Sequence, residues 1–164
     1  MKVPHILKNI WSVVGLALVF YVVISFVYDY IVNEPKAAVV QKHLEEEFWA
    51  IKPLPDAAPC NFHASHKTRQ ASAGSCYSTK LSFPEISAYY DAELKDHGWR
   101  FLKEQSFRNW GRDIGGKSLV YCKDGYTASL EYAGENAGYG WNYALSLSWG
   151  SGSLVEQWNG TLCQ

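Results

Sequence analysis

Between Ile10 and Val32 the chain reads IWSVVGLALVFYVVISFVYDYIV, and the only charge in those 23 residues is Asp29, near the far end. No other feature restricts the fold as much. As a helix the run is about 35 Å long, enough to cross a hydrocarbon layer of about 30 Å. It is apolar on every side, unlike the one-sided stripe of a surface helix in a small domain. Trp11 lies near one end and Tyr28 and Tyr30 near the other, where interfacial aromatic belts form. A cleavable signal peptide is the competing reading. Its apolar region is about 7–15 residues long and ends at a small-x-small site. This run is longer and leads into Asn33-Glu34-Pro35-Lys36, so an uncleaved signal anchor over residues 10–32 is expected.

Lys2 and Lys8 precede the run, whereas Asp29, Glu34 and Lys36 at its other end carry no basic excess. The positive-inside rule then leaves residues 1–9 in the cytoplasm and exports residues 33–164. All four cysteines, Cys60, Cys76, Cys122 and Cys163, fall in the exported part. An even count on the oxidising side points to two disulfides, with three possible connectivities. The exported part holds 13 Lys and Arg against 15 Asp and Glu. It has no basic stripe, so nucleic-acid binding is not expected.

Residues 33–60 read as a juxtamembrane amphipathic helix and a Pro-rich connector. Asn33 is placed to cap, Pro35 fits a first turn, and Val40, Leu44, Phe48 and Ile51 recur at helical spacing. That stripe suits packing on the domain, on a partner or at a membrane surface, although Glu45-Glu46-Glu47 disfavours an anionic bilayer. The connector KPLPDAAPC follows, then polar residues 61–80, read as a loop with one strand near 70–80.

Residues 61–164 read as the exported domain. Ser82-Phe83-Pro84-Glu85 has the form of a capping box, with Leu81 and Ile86 as a hydrophobic staple. Ile86, Tyr90 and Leu94 line one helix face. Gly98 and Trp99 fit a Schellman ending, and Trp99, Phe101 and Phe107 open the next strand. In KSLVYCKDGYTASLEY, residues 117–132, Asp124-Gly125 predicts a two-residue hairpin pairing Lys123 with Tyr126 and Cys122 with Thr127. Tyr143, Leu145, Leu147 and Trp149 alternate along a last strand, and the Gly-rich 133–140 is the loop before it. The expected fold class is α+β: an N-terminal transmembrane helix plus a small two-layer sandwich of one main helix on an antiparallel sheet. The second sheet face is small and polar. Cys122 falls on it, within reach of the tail bearing Cys163, which suggests Cys122–Cys163 with Cys60–Cys76.

Candidate chemistry is sparse. Asp91, Glu93, Asp96 and His97 include the residue types of acid–base catalysis, but they lie largely off the apolar stripe and read as a solvated face and helix end. Cys60-x-x-His63-x-x-His66 with Cys76 has zinc-ligand types at an unfamiliar spacing. No serine-hydrolase elbow, P-loop or dinucleotide fingerprint occurs. No enzyme activity, cofactor or metal is therefore expected. Aromatics make up 15 % of the chain, enough for some to lie outside a small core. Trp110, Tyr139, Trp141 and Trp158 fall outside the strand patterns, as partner contacts, sugar-stacking groups or edge packing.

Tyr89-Tyr90-Asp91-Ala92-Glu93-Leu94-Lys95-Asp96-His97-Gly98-Trp99 carries a Tyr-Tyr-x-x-x-Leu-x-x-x-Gly-Trp pattern, followed by a Tyr-x-Lys strand at Tyr121-Cys122-Lys123. With the anchor, short helix and Pro-containing connector, this resembles small uncharacterised bacterial membrane-anchored, lipoprotein-like proteins over residues 44–149. The resemblance implies a bacterial inner membrane and a periplasmic domain, and it assigns no functional residue. The expected role is binding of another envelope protein, as an accessory subunit or immunity-type protein. The alternative is binding of envelope glycan or a small ligand through loop aromatics.

Overall fold

A computed structural model describes residues 5–109, 112–134, 138–150 and 163. The fold is α+β, with a long apolar N-terminal helix and a six-stranded antiparallel sheet. Helix α1, His5–Tyr28, passes through a five-residue π-helical segment, Asp29–Asn33, into α2, Glu34–Ala50. It is long and apolar enough to cross a membrane, a property that an N-terminal signal sequence shares.

Asn33 does not start a new helix. Its backbone is helical and its side chain donates to Asp29 instead of capping. The Glu34 amide bonds back to the Asp29 carbonyl, the i→i+5 register of a π-turn. Pro35, lacking an N–H, follows at the first turn of α2. The result is one helical rod from residue 5 to residue 50.

Ala37, Val40, Leu44 and Phe48 form the buried stripe of α2, which packs over strands β1 (Ala58–Lys67), β2 (Gln70–Ser78) and β6 (Tyr143–Gly150). Helix α3, Phe83–Asp96, packs nearer β3 (Arg100–Asn109) and β5 (Tyr126–Tyr132), with β4 (Arg112–Lys123) between them. Both helices contribute to one core, in which Leu44, Ile86, Tyr90, Leu94, Tyr121, Leu130, Tyr143 and Leu147 are fully or almost fully buried. The expectation of one main helix is thus corrected to two. Of the three packings open to the 33–60 stripe, the one on the domain is found: Leu44, Phe48, Ile51 and Leu54 are buried in the domain core.

The strand order is β1-β2-β6-β5-β4-β3, antiparallel throughout. The predicted hairpin register holds at Lys123↔Tyr126, Cys122↔Thr127, Tyr121↔Ala128 and Leu119↔Leu130. Strand β2 alternates cleanly in burial, with Ala71, Ala73, Ser75 and Tyr77 inward. The polar stretch before it is a strand, not a loop. As an edge strand, β1 shows no buried position along its length, which is why its sequence does not alternate.

Helix α3 has the expected ends. The Ser82 amide donates to Glu85 Oε2 at 2.8 Å, completing the capping box. Leu81, expected as a staple, is 37 % exposed while Ile86 is buried. Gly98 has φ +82°. Its amide donates to the Lys95 carbonyl at 3.0 Å, and that of Trp99 to the Leu94 carbonyl at 2.9 Å, the paired bonds of a Schellman motif.

Two stability measurements check this description. Leu44→Ala in the full chain is expected to lower domain stability by about 2–5 kcal/mol in chemical denaturation, since Leu44 is fully buried. An unchanged midpoint would mean that α2 folds apart from the sheet. Gly98→Ala should cost about 1 kcal/mol because of its left-handed φ, although space exists for the added methyl.

Candidate functional site

Trp49 follows Phe48 and so points about 100° away from the buried stripe of α2. Phe48 is 2 % exposed and Trp49 is 64 % exposed. Phe62 reaches up from β1, on the face where it neighbours Ala64 and His66. Its ring lies 4.7 Å from that of Trp49 and 5.3 Å from that of Phe48. Phe62 remains 37 % exposed because β1 is the margin of the sheet and α2 covers it only partly. The two rings form a ledge beside the free edge of β1.

The two sheet edges differ in chemistry. Strand β3 carries Arg100, Lys103 and Glu104, charges of the kind that protect an edge from further pairing. In β1 the run from Phe62 to Lys67 has one permanent charge, at its end. A bulge between Pro59 and Phe62 interrupts only the start of that strand. Neither Trp49 nor Phe62 was singled out from sequence. The available signal was the position of Trp49 one residue past the Val40–Leu44–Phe48 stripe.

The cysteines divide into two pairs. Cys122 and Cys163 are bridged, with Cα atoms 5.3 Å apart, and the bridge places Cys163 on the sheet face opposite the helices. That face is not open at β4, where Ser118, Val120 and Cys122 are buried. The second expected bridge is not formed: Cys60 and Cys76 are free thiols. Cys60 lies in the β1 bulge beside Cys76 of β2. Partial desolvation and the neighbouring Cys76 thiol push the Cys60 thiol up to about 11, so it is protonated at neutral pH.

His63 and His66 do not converge on one site. Their pairing partners, Gly74 and Ala71, lie on opposite faces of β2. His66 instead approaches Glu34 at 3.4 Å and bonds Gln41. No cluster of three metal-ligating side chains occurs among the described residues.

Asp91 and Glu93 of α3 are individually engaged. Asp91 accepts from Lys95 at 2.7 Å and from the Tyr121 hydroxyl at 3.3 Å. Glu93 accepts from the Lys52 amide at 2.9 Å and lies 3.4 Å from His97. Tyr139 and Trp141 stack on each other, 5.1 Å apart and 14° from parallel, which occupies one face of each ring. Their loop is tied to the end of β2, where the Thr79 amide donates to Asn142 at 2.6 Å and the Asn142 amide to the Tyr77 carbonyl at 2.9 Å. Trp110 and Trp158 lie outside the described residues.

Beneath α3 the buried hydroxyls of Tyr90 and Tyr143 are 3.2 Å apart, and the Leu54 amide donates to Tyr90 at 3.3 Å. Burial raises both phenols, that of Tyr90 to about 12, so the pair stays neutral at physiological pH and serves packing. No protein-family model, curated protein or solved structure matches the chain.

An acid raised on folding stabilises the fold below its unfolded value, near 10, and that contribution is lost as pH rises toward about 12. Wild type is therefore expected to lose stability between pH 10 and 12 more steeply than Tyr90→Phe, measured by chemical denaturation across that window. Parallel curves would show that Tyr90 does not titrate with folding.

Proposed function

We propose that the chain is a single-pass bacterial inner-membrane protein, N-terminus inside, whose periplasmic two-layer α+β domain binds another envelope protein. Its role is that of an accessory subunit or an immunity-type inhibitor, without catalysis of its own. The observation that carries this reading is the Trp49–Phe62 ledge beside the sparsely charged β1 edge. Exposed aromatics of this size are typical anchors of protein interfaces, and a free edge offers backbone groups for an added strand. The apolar run of α1, the lysines before it and the anchored-protein resemblance support the location.

A photo-crosslinking amino acid placed at Trp49 or Phe62 in the full chain, in native membranes, should give one discrete adduct of the same partner. The same group at Glu104, in β3 at the opposite edge of the sheet, should give none. Trp49→Ala should weaken recovery of that partner by at least about tenfold. Absence of any adduct from either ledge position, at native expression, would count against the reading.

A further inference from the structure

The rod connects α1 to the domain without a break. Tyr28, Asn33 and Glu34 all have helical backbone angles, and the apolar run ends at Val32. Residues 29–36 therefore occupy only about 10 Å along the rod, at the level where a membrane-spanning α1 would leave the hydrocarbon.

One end of the sheet is held against that short stretch. Arg69, in the β1–β2 turn, donates to Asp29 through Nη2 at 2.7 Å and Nε at 3.1 Å. His66, near the end of β1, lies 3.4 Å from Glu34. The Lys36 ammonium sits 5.2 Å above the ring of Trp149, near the end of β6. Gln70 pairs with Gly150, so the turn and the end of β6 are neighbours. The opposite end of β2 leads to Lys80, roughly 30 Å away at strand rise.

The chemistry of this end matches a lipid headgroup layer. Asp29 is matched by Arg69, and Glu34 lies against His66. Lys36 and Lys67 remain exposed, without a counter-charge among the described residues. A cleft of about 140 Å³ opens here, lined among others by Ser65, His66, Lys67, Ser72, Ser148 and Trp149. It combines three hydroxyls, of which Ser65 and Ser72 bond each other at 3.3 Å, with a cation and an amphipathic ring. Tyr28 and Tyr30 are 57 % and 76 % exposed on the adjacent helix. Ammonium groups favour lipid phosphates, and Trp and Tyr favour the headgroup boundary.

We propose that the sheet end formed by the β1–β2 turn and the end of β6 is a lipid-docking surface. It seats on the headgroup phosphates of the bilayer that α1 crosses, through Lys36, Lys67 and the cleft beside Trp149. The proposal rests on reading α1 as a membrane span. The Arg69–Asp29 pair then fixes how the sheet stands on the bilayer, and it is strengthened where the interface excludes water.

The test uses the full chain in vesicles of phosphatidylcholine with or without phosphatidylglycerol. A nitroxide is placed singly at Val19, Thr68 or Lys80, with Cys60→Ser and Cys76→Ser to remove the free thiols. Its relaxation by oxygen and by a water-soluble nickel chelate reads depth. Val19 should be open to oxygen and shielded from nickel. Thr68 should be severalfold less open to nickel than Lys80. Lys36→Glu with Lys67→Glu should remove that shielding in the phosphatidylglycerol vesicles.

A shielded Val19 with Thr68 as open as Lys80 overturns the docking surface and leaves the span intact. A Val19 as open as Lys80 overturns the span, and the docking with it. Shielding of Thr68 that survives the double charge reversal overturns the assignment of the two lysines to phosphate.

Discussion

Six strands become one sheet only when β6, the last of them in sequence, enters between β2 and β5. On one side it pairs over Gln70–Tyr77 and on the other over Thr127–Tyr132. Without it the β1–β2 hairpin and the β3–β4–β5 meander would be separate pieces, each too small to bury its inward side chains. Its residues Tyr143, Leu145 and Leu147 are almost wholly buried and lie at the centre of the core. Tyr77 stacks on Tyr143 across the β2–β6 seam, and Tyr143 meets the Tyr90 hydroxyl from α3. Pairing of β2 with β6 joins residues from Tyr77↔Tyr143 to Gln70↔Gly150, more than 60 positions apart throughout, so closure is entropically late and depends on this apolar seam.

The closed sheet gives α2 a surface to lie on, and through α2 the domain becomes rigidly joined to the N-terminal helix. Lys123 reaches Glu47 at 2.6 Å and lies over the Trp99 ring, linking α2, the β4–β5 hairpin and the end of α3. At the other end of α2, Arg69 and His66 hold the hairpin to residues 29 and 34. A domain fixed at both ends of the helix has a defined orientation. The aromatic ledge at Trp49 and the sheet end near Lys67 therefore lie toward opposite ends of α2.

Local features were legible from residues alone. The Asp124-Gly125 turn, the Ser82 and Glu85 cap and the Gly98–Trp99 ending each depend on backbone conformations set within a few residues. Each appears where its sequence places it. The alternation of β6 was readable because both its neighbours are strands and one face is buried. Strand β1 was not readable, because an edge position relaxes the demand for alternation. The ledge was missed for a related reason: Trp49 and Phe62 come from a helix and an edge strand 13 positions apart, and only packing brings the rings to 4.7 Å.

By itself the sequence determined the apolar N-terminal helix, the caps of α3, the β4–β5 register and the α+β class. These follow from composition, from glycine's left-handed freedom and from the period of hydrophobic residues. The tertiary structure alone decided that α2 belongs to the core, that the rod continues through Asn33, and that Cys60 and Cys76 lie side by side without a bridge. Those outcomes depend on strand order. Order is set by which apolar faces meet once the chain has closed, and no window of neighbouring residues encodes that.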